Sequence, residues 1–394
     1  MKKVNNRINN NSPIIEGESS DLLVKLDNYP VTEIYQKYKE NNFPYDTFYD
    51  QELRFCPKSN HAFLGNQLPQ DFIYNAENYN TISSTSVGSV TALENFYSFI
   101  SERIKEDFDS IIDIGANDTT LLKKFKDYGK KLIGIDPNVK SNDQSITCIK
   151  DYLENVNLTS LSSGNKVFLS SHTLEHIYDP KKFMEILSHS SSDNDEFFFQ
   201  FPCLDLLIKD SRFDQIHHQH LHLFSIQSFS YMISQFGYEI IDYRLDPDHY
   251  GTLMVQFKKT EKDIEPFEYQ DGFYSISEIK KRYKYFLEDI SLVNERIMQN
   301  DCDLYCYGAS LMLPIIPYYI PAMKNALNII DEDKSKSGLS YVNFDVEIKD
   351  GSNVDFENSN ILVTALATKF ATRKIISKLS DLKALNIILP LNTI

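Results

Sequence analysis

Phe213 to Ser225 reads Phe-Asp-Gln-Ile-His-His-Gln-His-Leu-His-Leu-Phe-Ser, and it is the densest run of chemically capable side chains in the protein. Five of the nine histidines, His217, His218, His220, His222 and His249, fall between positions 217 and 249, which makes this segment the first place to look for chemistry. Imidazole changes charge near neutral pH and can serve as a proton acceptor, a metal ligand or a hydrogen-bonding support. No carboxylate at a recognisable ligand spacing accompanies the run, so no metal is expected there. Structural hydrogen bonding is the plainer alternative. The favoured reading is a general base facing a substrate in a cleft.

A second stretch, Ser110 to Asn138, has the pattern of a nucleoside-binding βαβ unit. Ile111 to Ile114 predicts a buried parallel strand that breaks at Gly115, where a turn lets the backbone approach a ligand. Thr119 to Tyr128 predicts a helix, and Leu132 to Ile135 a second strand ending in Asp136. A carboxylate at that strand end can hold both ribose hydroxyls. The dinucleotide fingerprint needs three glycines, and only Gly115 is present. Asp113 with the pair Asn117-Asp118 instead resembles the first motif of class I S-adenosylmethionine methyltransferases.

The elements that must position these residues follow from periodicity. The fold class predicted is α/β: a class I methyltransferase (Rossmann-like) core between a small N-terminal domain and a C-terminal Rossmann-like domain. Residues 1–88 are expected to form a loose polar tail and an irregular domain similar to a degenerate zinc ribbon. Cys56 and His61 supply two ligands at most where tetrahedral zinc needs four, so that domain is read as metal-free. Residues 89–258 are assigned to the core. Its later strands end at Asp151-Tyr152 and Ser171-His172, and ligands in open α/β sheets sit beyond such carboxyl ends. Residues 259–394 combine a connecting helix, Ile276 to Met298, with a strand and glycine turn at Tyr307-Gly308 and an apolar helix from Leu311. The net charge of −16 argues against nucleic acid or an anionic membrane as partner. Five scattered cysteines suggest a reducing compartment, and a cytoplasmic monomer or homodimer is expected.

In this order the motifs resemble those of a known family, the sugar C-methyltransferases of deoxysugar biosynthesis, which act on nucleotide-linked 4-keto hexoses. The similarity covers roughly residues 20 to 390. It rests on seven segments: Tyr79 to Ser86, Asp113 to Leu122, Gly134 to Pro137, His176-Ile177, Phe213 to His220, His249 to Thr252, and Tyr307 to Ala309. There are departures. Thr119 replaces a glycine, the zinc cysteines are lost apart from Cys56, and Tyr250 replaces a glycine. In the histidine motif the family tyrosine is His217 and the family glutamate is Gln219.

The resemblance implies S-adenosylmethionine as cofactor and a nucleotide sugar as substrate. Expected cofactor contacts are Tyr79, Ser83, Asp113, Gly115, Asn117 and Asp136. Pro137, Asp151, Tyr152, Ser171 and His172 extend the set along the strand ends. The expected substrate contacts are Gln219, His222, His249, Tyr307 and Gly308. His220 is the first choice of base, with His217 assisting and His176 hydrogen-bonding a developing enolate. O-methylation of a sugar hydroxyl and cofactor binding without turnover are the alternatives.

Overall fold

A computed structural model describes residues 2–74, 82–85, 87–105, 107–261, 264 and 274–391. Its centre is a seven-stranded sheet built, in chain order, from β1 (Ser110–Ile114), β2 (Lys131–Ile135), β3 (Ile146–Ile149), β4 (Lys166–Ser171), β5 (Glu196–Pro202), β6 (Tyr238–Asp246) and β7 (Thr252–Lys259). The spatial order is β6-β7-β5-β4-β1-β2-β3. The pairs from β5 through β3 are parallel, and the closing β6–β7 hairpin runs antiparallel.

The parallel strands read as unbroken apolar runs because both faces are covered. Successive residues point to opposite faces. Ile111, Val167 and Phe198 thus join the core under the helix Val87–Ser101, with Phe96 and Ile100. Ile112, Phe168, Phe197 and Phe199 join the opposite core, against Phe183 and Leu187 of the helix Pro180–Ser190. Each fully buried aromatic stabilises by about 1.5–3 kcal/mol relative to exposure. Asp179 caps that helix by accepting from the Lys182 amide at 2.9 Å, and Pro180 starts it.

The helix expected over Thr119 to Tyr128 is broken into Thr120–Lys123 and a 3₁₀ turn, Lys126–Tyr128. Thr119, standing where the resemblance has glycine, carries φ of 61°, a left-handed conformation that β-branched residues rarely adopt. Its hydroxyl bonds Ser141 Oγ at 2.9 Å, which offsets part of the strain. At Gly115 (φ 83°) an added Cβ would meet Thr173 Oγ1 at 1.9 Å, so both conformation and space require glycine.

The N-terminal region is more ordered than its sequence suggested. Asp21–Pro30, Phe48–Cys56 and His61–Leu64 form an antiparallel sheet, and His222–Leu223 of the histidine motif supplies its fourth strand. The polar tail is also tied down, with Arg7–Ile8 paired to Asn66–Gln67. A five-stranded parallel sheet occupies the C-terminal part: Ile348–Lys349, Asn328–Ile330, Asp303–Tyr307, Ser359–Val363 and Asn386–Ile388, in that spatial order. The connecting helix Ile276–Met298 forms as expected, with Ser275 as its cap. The helix expected from Leu311 is only a 3₁₀ turn and the short helix Ile316–Tyr319, because Pro314, Pro317 and Pro321 remove amide donors. N- and C-terminal sheets share one apolar core that includes Leu53, Ile329 and Leu362.

Candidate active site

A cavity of about 980 Å³ opens at the carboxyl ends of the central strands. This lies at the upper end of the range of small-molecule sites. One end is walled by Gly115, Asn117, Asp136, Pro137, Asp151 and Tyr152. Asp136 accepts from the amide of Asn117 at 3.1 Å and of Asn138 at 2.6 Å, which fixes its carboxylate at the mouth of the glycine turn. Ser83 lies over this turn, its amide donating to Asn117 Oδ1 at 3.2 Å. Tyr79, the other expected contact of that loop, lies outside the described residues. Two carboxylates, a backbone turn bare of side chains and a hydroxyl-bearing loop fit the hydroxyls and amino group of an adenosyl cofactor.

Asp113 does not reach the wall. It is buried under the turn, Oδ1 finds no partner among the described residues, and burial beside Asp136 pushes its carboxyl up to about 8. It supports the site from beneath.

The middle of the cavity is lined by Ser171, His172, Glu175, His176, His217, Gln219, His220 and His249. Ser171 is held by Gln200, whose Nε2 donates to its Oγ at 2.7 Å. His176 places Nδ1 at 2.8 Å from the Gln219 carbonyl, so Nδ1 carries the proton and Nε2 the lone pair. His217 places Nδ1 at 3.0 Å from Gln219 Oε1. The Gln219 amide nitrogen faces the Thr32 carbonyl at 3.4 Å, and Thr32 Oγ1 donates to Oε1 at 2.8 Å. A carbonyl only accepts, so the amide oxygen must face His217, and His217 too keeps its lone pair on Nε2. The rings of His217 and His220 lie 3.7 Å apart between centroids, tilted by 46° to one another. Burial, and then the neighbouring imidazoles, hold His220 well below the ordinary histidine range. Burial lowers His217 to about 3 and His249 well below its usual value. These rings are neutral at working pH.

The other histidines of the motif turn away. His218 accepts from Gln51 Nε2 at 3.0 Å and reaches the Tyr29 carbonyl at 3.2 Å, pinning the motif to the N-terminal sheet. His222 was expected at the substrate. It is instead fully buried, bonds the Ile177 carbonyl at 2.8 Å and stacks on His61, because its strand pairs with His61–Leu64.

At the far end, Ala309, Ser310, Asp331 and Lys336 form the wall. Asp331 accepts from the Ala309 amide at 2.7 Å, repeating the device of Asp136 beneath its own glycine turn. Tyr307 and Gly308, the residues expected here, stand just behind. Tyr307 donates to Glu332, and an added Cβ on Gly308 would meet Ala365 at 2.4 Å.

Sequence reasoning passed over Glu175. It adjoins His176, but its other neighbours, His172 apart, come from a loop more than forty residues away, and local spacing cannot show that. Thr32 was missed for the same reason.

The strand order, the glycine turn and the carboxylate at the end of β2 define the middle of the chain as a class I S-adenosylmethionine-dependent methyltransferase core, with additional N- and C-terminal sheets. Residues 90–243 match the family model described as a methyltransferase domain. The C-methyltransferase NovU of Streptomyces niveus is 22% identical over 224 residues, 53% of this chain and 51% of that protein, so the match spans about half of the relative's length. Among solved structures, the plantazolicin methyltransferase BpumL is 16% identical, with a TM-score of 0.38 over 49% of this chain and 94% of that one. The magnesium protoporphyrin IX methyltransferase of Synechocystis is 10% identical, with a TM-score of 0.35 over 44% and 84%. Among the described residues no helix is long and apolar enough to cross a membrane.

Proposed function

We propose that this chain methylates a carbon next to a carbonyl in a nucleotide-linked sugar. The observation that carries the reading is the continuity of one cavity from Asp136, past the histidines, to Asp331 and Lys336. A cofactor at the first end and a bulky substrate reaching from the second would meet at the histidines. The similarity to a C-methyltransferase and the order of the seven motifs support the same chemistry.

S-adenosylmethionine, when bound, supplies an electrophilic methyl group. The chain's own work is to position the acceptor, exclude water and take a proton. Removing a proton from the carbon beside the carbonyl leaves an enolate. His217 is the acceptor this geometry favours over His220, since its Nε2 lone pair is aimed by the Gln219 relay. Its neutrality keeps that lone pair available. A weak base succeeds only if the acceptor carbonyl is strongly polarised; His220 borders the space where that oxygen would lie, whereas His176 Nε2 presents a lone pair and cannot donate to it.

The test is a purified-protein screen with S-adenosylmethionine across keto and non-keto nucleotide sugars, read by mass and by the position of the new methyl group. Methylated carbon, with solvent deuterium entering at the same position, is expected. Methyl appearing only on oxygen would replace this reading with O-methylation, and cofactor binding without any product would end it.

A further inference from the structure

Glu175 is 1% exposed, and no lysine or arginine pairs with it among the described residues. Its Oε1 lies 3.2 Å from His172 Nδ1, while Oε2 is buried without a hydrogen-bond partner. His176 Nε2 stands 3.9 Å from Oε1. Because His176 Nδ1 donates its proton to the Gln219 carbonyl, Nε2 presents a lone pair, so two acceptors face each other across that gap. His220 closes the third side: its ring lies 5.0 Å from that of His176, and its Nδ1 is buried with no partner. One donor atom from each of Glu175, His176 and His220 falls within 4.8 Å of the others.

A buried carboxylate facing the His176 lone pair, with the partnerless Nδ1 of His220 beside them, needs a proton or a cation between them. We propose that Glu175, His176 and His220 bind a divalent transition-metal ion on the floor of the cavity. Two imidazoles and one carboxylate suit such ions, with zinc among the best matched. Small side-chain rotations would bring the donors from their present spacing to about 3.4 Å, the edge of a tetrahedron with bonds of about 2.0–2.2 Å. The outer contacts are of the kind that orient metal ligands. Gln219 carbonyl holds the far nitrogen of His176, and His172 holds one oxygen of Glu175. The fourth position faces the cavity.

The use of the cation rests on the methyl-transfer reading above, whereas its binding does not. A cation there would take the acceptor's carbonyl oxygen as its fourth ligand. The adjacent C–H bond then breaks with its proton passing to His217 Nε2, and the electron pair moves onto the oxygen that the cation holds. This supplies the polarisation that a weakly basic imidazole requires.

The experiment strips the full chain with a chelator and titrates it with Zn²⁺ by calorimetry, without substrate or cofactor. A parallel titration with Co²⁺ is read in the visible spectrum. One equivalent should bind, with Co²⁺ bands typical of low coordination number. Glu175→Gln and His220→Asn, each verified as folded by circular dichroism, should weaken Zn²⁺ by at least tenfold and abolish those bands. Cysteine-to-serine substitution at Cys56 should change neither. No saturable binding by the wild type, or binding unaltered in both variants, overturns the proposal. If Glu175→Gln fails to fold, the wild-type Co²⁺ spectrum and His220→Asn decide. Methylation without metal would remove the role and leave the site to the titration alone. Metal binding without methylation would leave the site intact and remove the methyl-transfer reading.

Discussion

Nδ1 of His217 lies 3.0 Å from Oε1 of Gln219, and the amide is oriented by Thr32, just past the end of the strand Asp21–Pro30. The hydrogen bond sets which nitrogen of His217 is free to accept a proton. Replacing Gln219 with leucine should therefore lower kcat by about 10²–10⁴-fold, the usual worth of a positioned base, and leave cofactor affinity unchanged. Gln219→Glu keeps an acceptor and adds a negative charge beside the ring. That charge raises the imidazolium pKa, so the acid limb of the kcat profile should move to higher pH. Unchanged turnover in Gln219→Leu would take His217 out of the mechanism.

Asp136 sits at the mouth of the turn with each oxygen accepting one backbone amide. Asp136→Ala should raise the Kd for S-adenosylmethionine roughly 10- to 100-fold, the equivalent of about 1.5–3 kcal/mol for a hydrogen bond to a charged group. Calorimetry on the folded variant measures this, and an unaltered affinity would contradict the assignment of the ribose site.

Asp113 is held as a neutral acid, its carboxyl pushed up to about 8 by burial and by Asp136. An unfolded aspartate releases its proton near pH 4. Between about pH 4 and 8 the folded state therefore keeps a proton that the unfolded state has lost, and stability falls as pH rises through that window. Asp113→Asn removes this dependence. Its gain over the wild type should grow across the window, at up to about 1.4 kcal/mol per pH unit, and level off above it. Denaturant melts at several pH values check this.

His61 has the opposite sign. It is fully buried between Phe63, Phe224 and His222, neither ring nitrogen has a hydrogen-bond partner among the described residues, and burial holds it well below the ordinary histidine range. Below about pH 6.5 the unfolded state gains a proton that the folded state refuses, so stability falls as pH drops. His61→Phe should match or exceed the wild type at pH 7, and its advantage should widen on acidification. Parallel acid dependence in the two proteins would show that His61 does not drive it.

The central sheet was legible because its strands are buried on both faces and read as unbroken apolar runs such as Phe197-Phe198-Phe199. The cofactor turn was legible because glycine and a strand-end carboxylate are local signals. The N-terminal strands were not. Asp21–Pro30 departs from regular alternation through two register shifts, and the strand at the opposite edge of its sheet, His222–Leu223, comes from elsewhere in the chain and pairs with His61–Leu64. The helix after Gly308 failed because three prolines outweighed an apolar run. In the histidine motif, residue type was informative but direction was not: His218 and His222 face inward, while His217 and His220 border the cavity. That distinction depends on Gln51, Tyr29 and Ile177, which no local spacing connects to the motif.

The cavity wall is drawn from three sheets: Glu33 and Tyr35 from beside the first, Gly115 to His249 from the central one, and Ala309 to Thr368 from the last. A backbone bridge between His249 and Thr368 and a bond from the Tyr250 amide to the Ala367 carbonyl stitch two of these together at the rim. A molecule filling such a space acts as a keystone. Any one sheet that peels away forfeits its share of the binding free energy, so ligand adds a penalty to every partial opening as well as to global unfolding. Saturation therefore couples the three sheets, and heat-denaturation curves should steepen with ligand as well as shift.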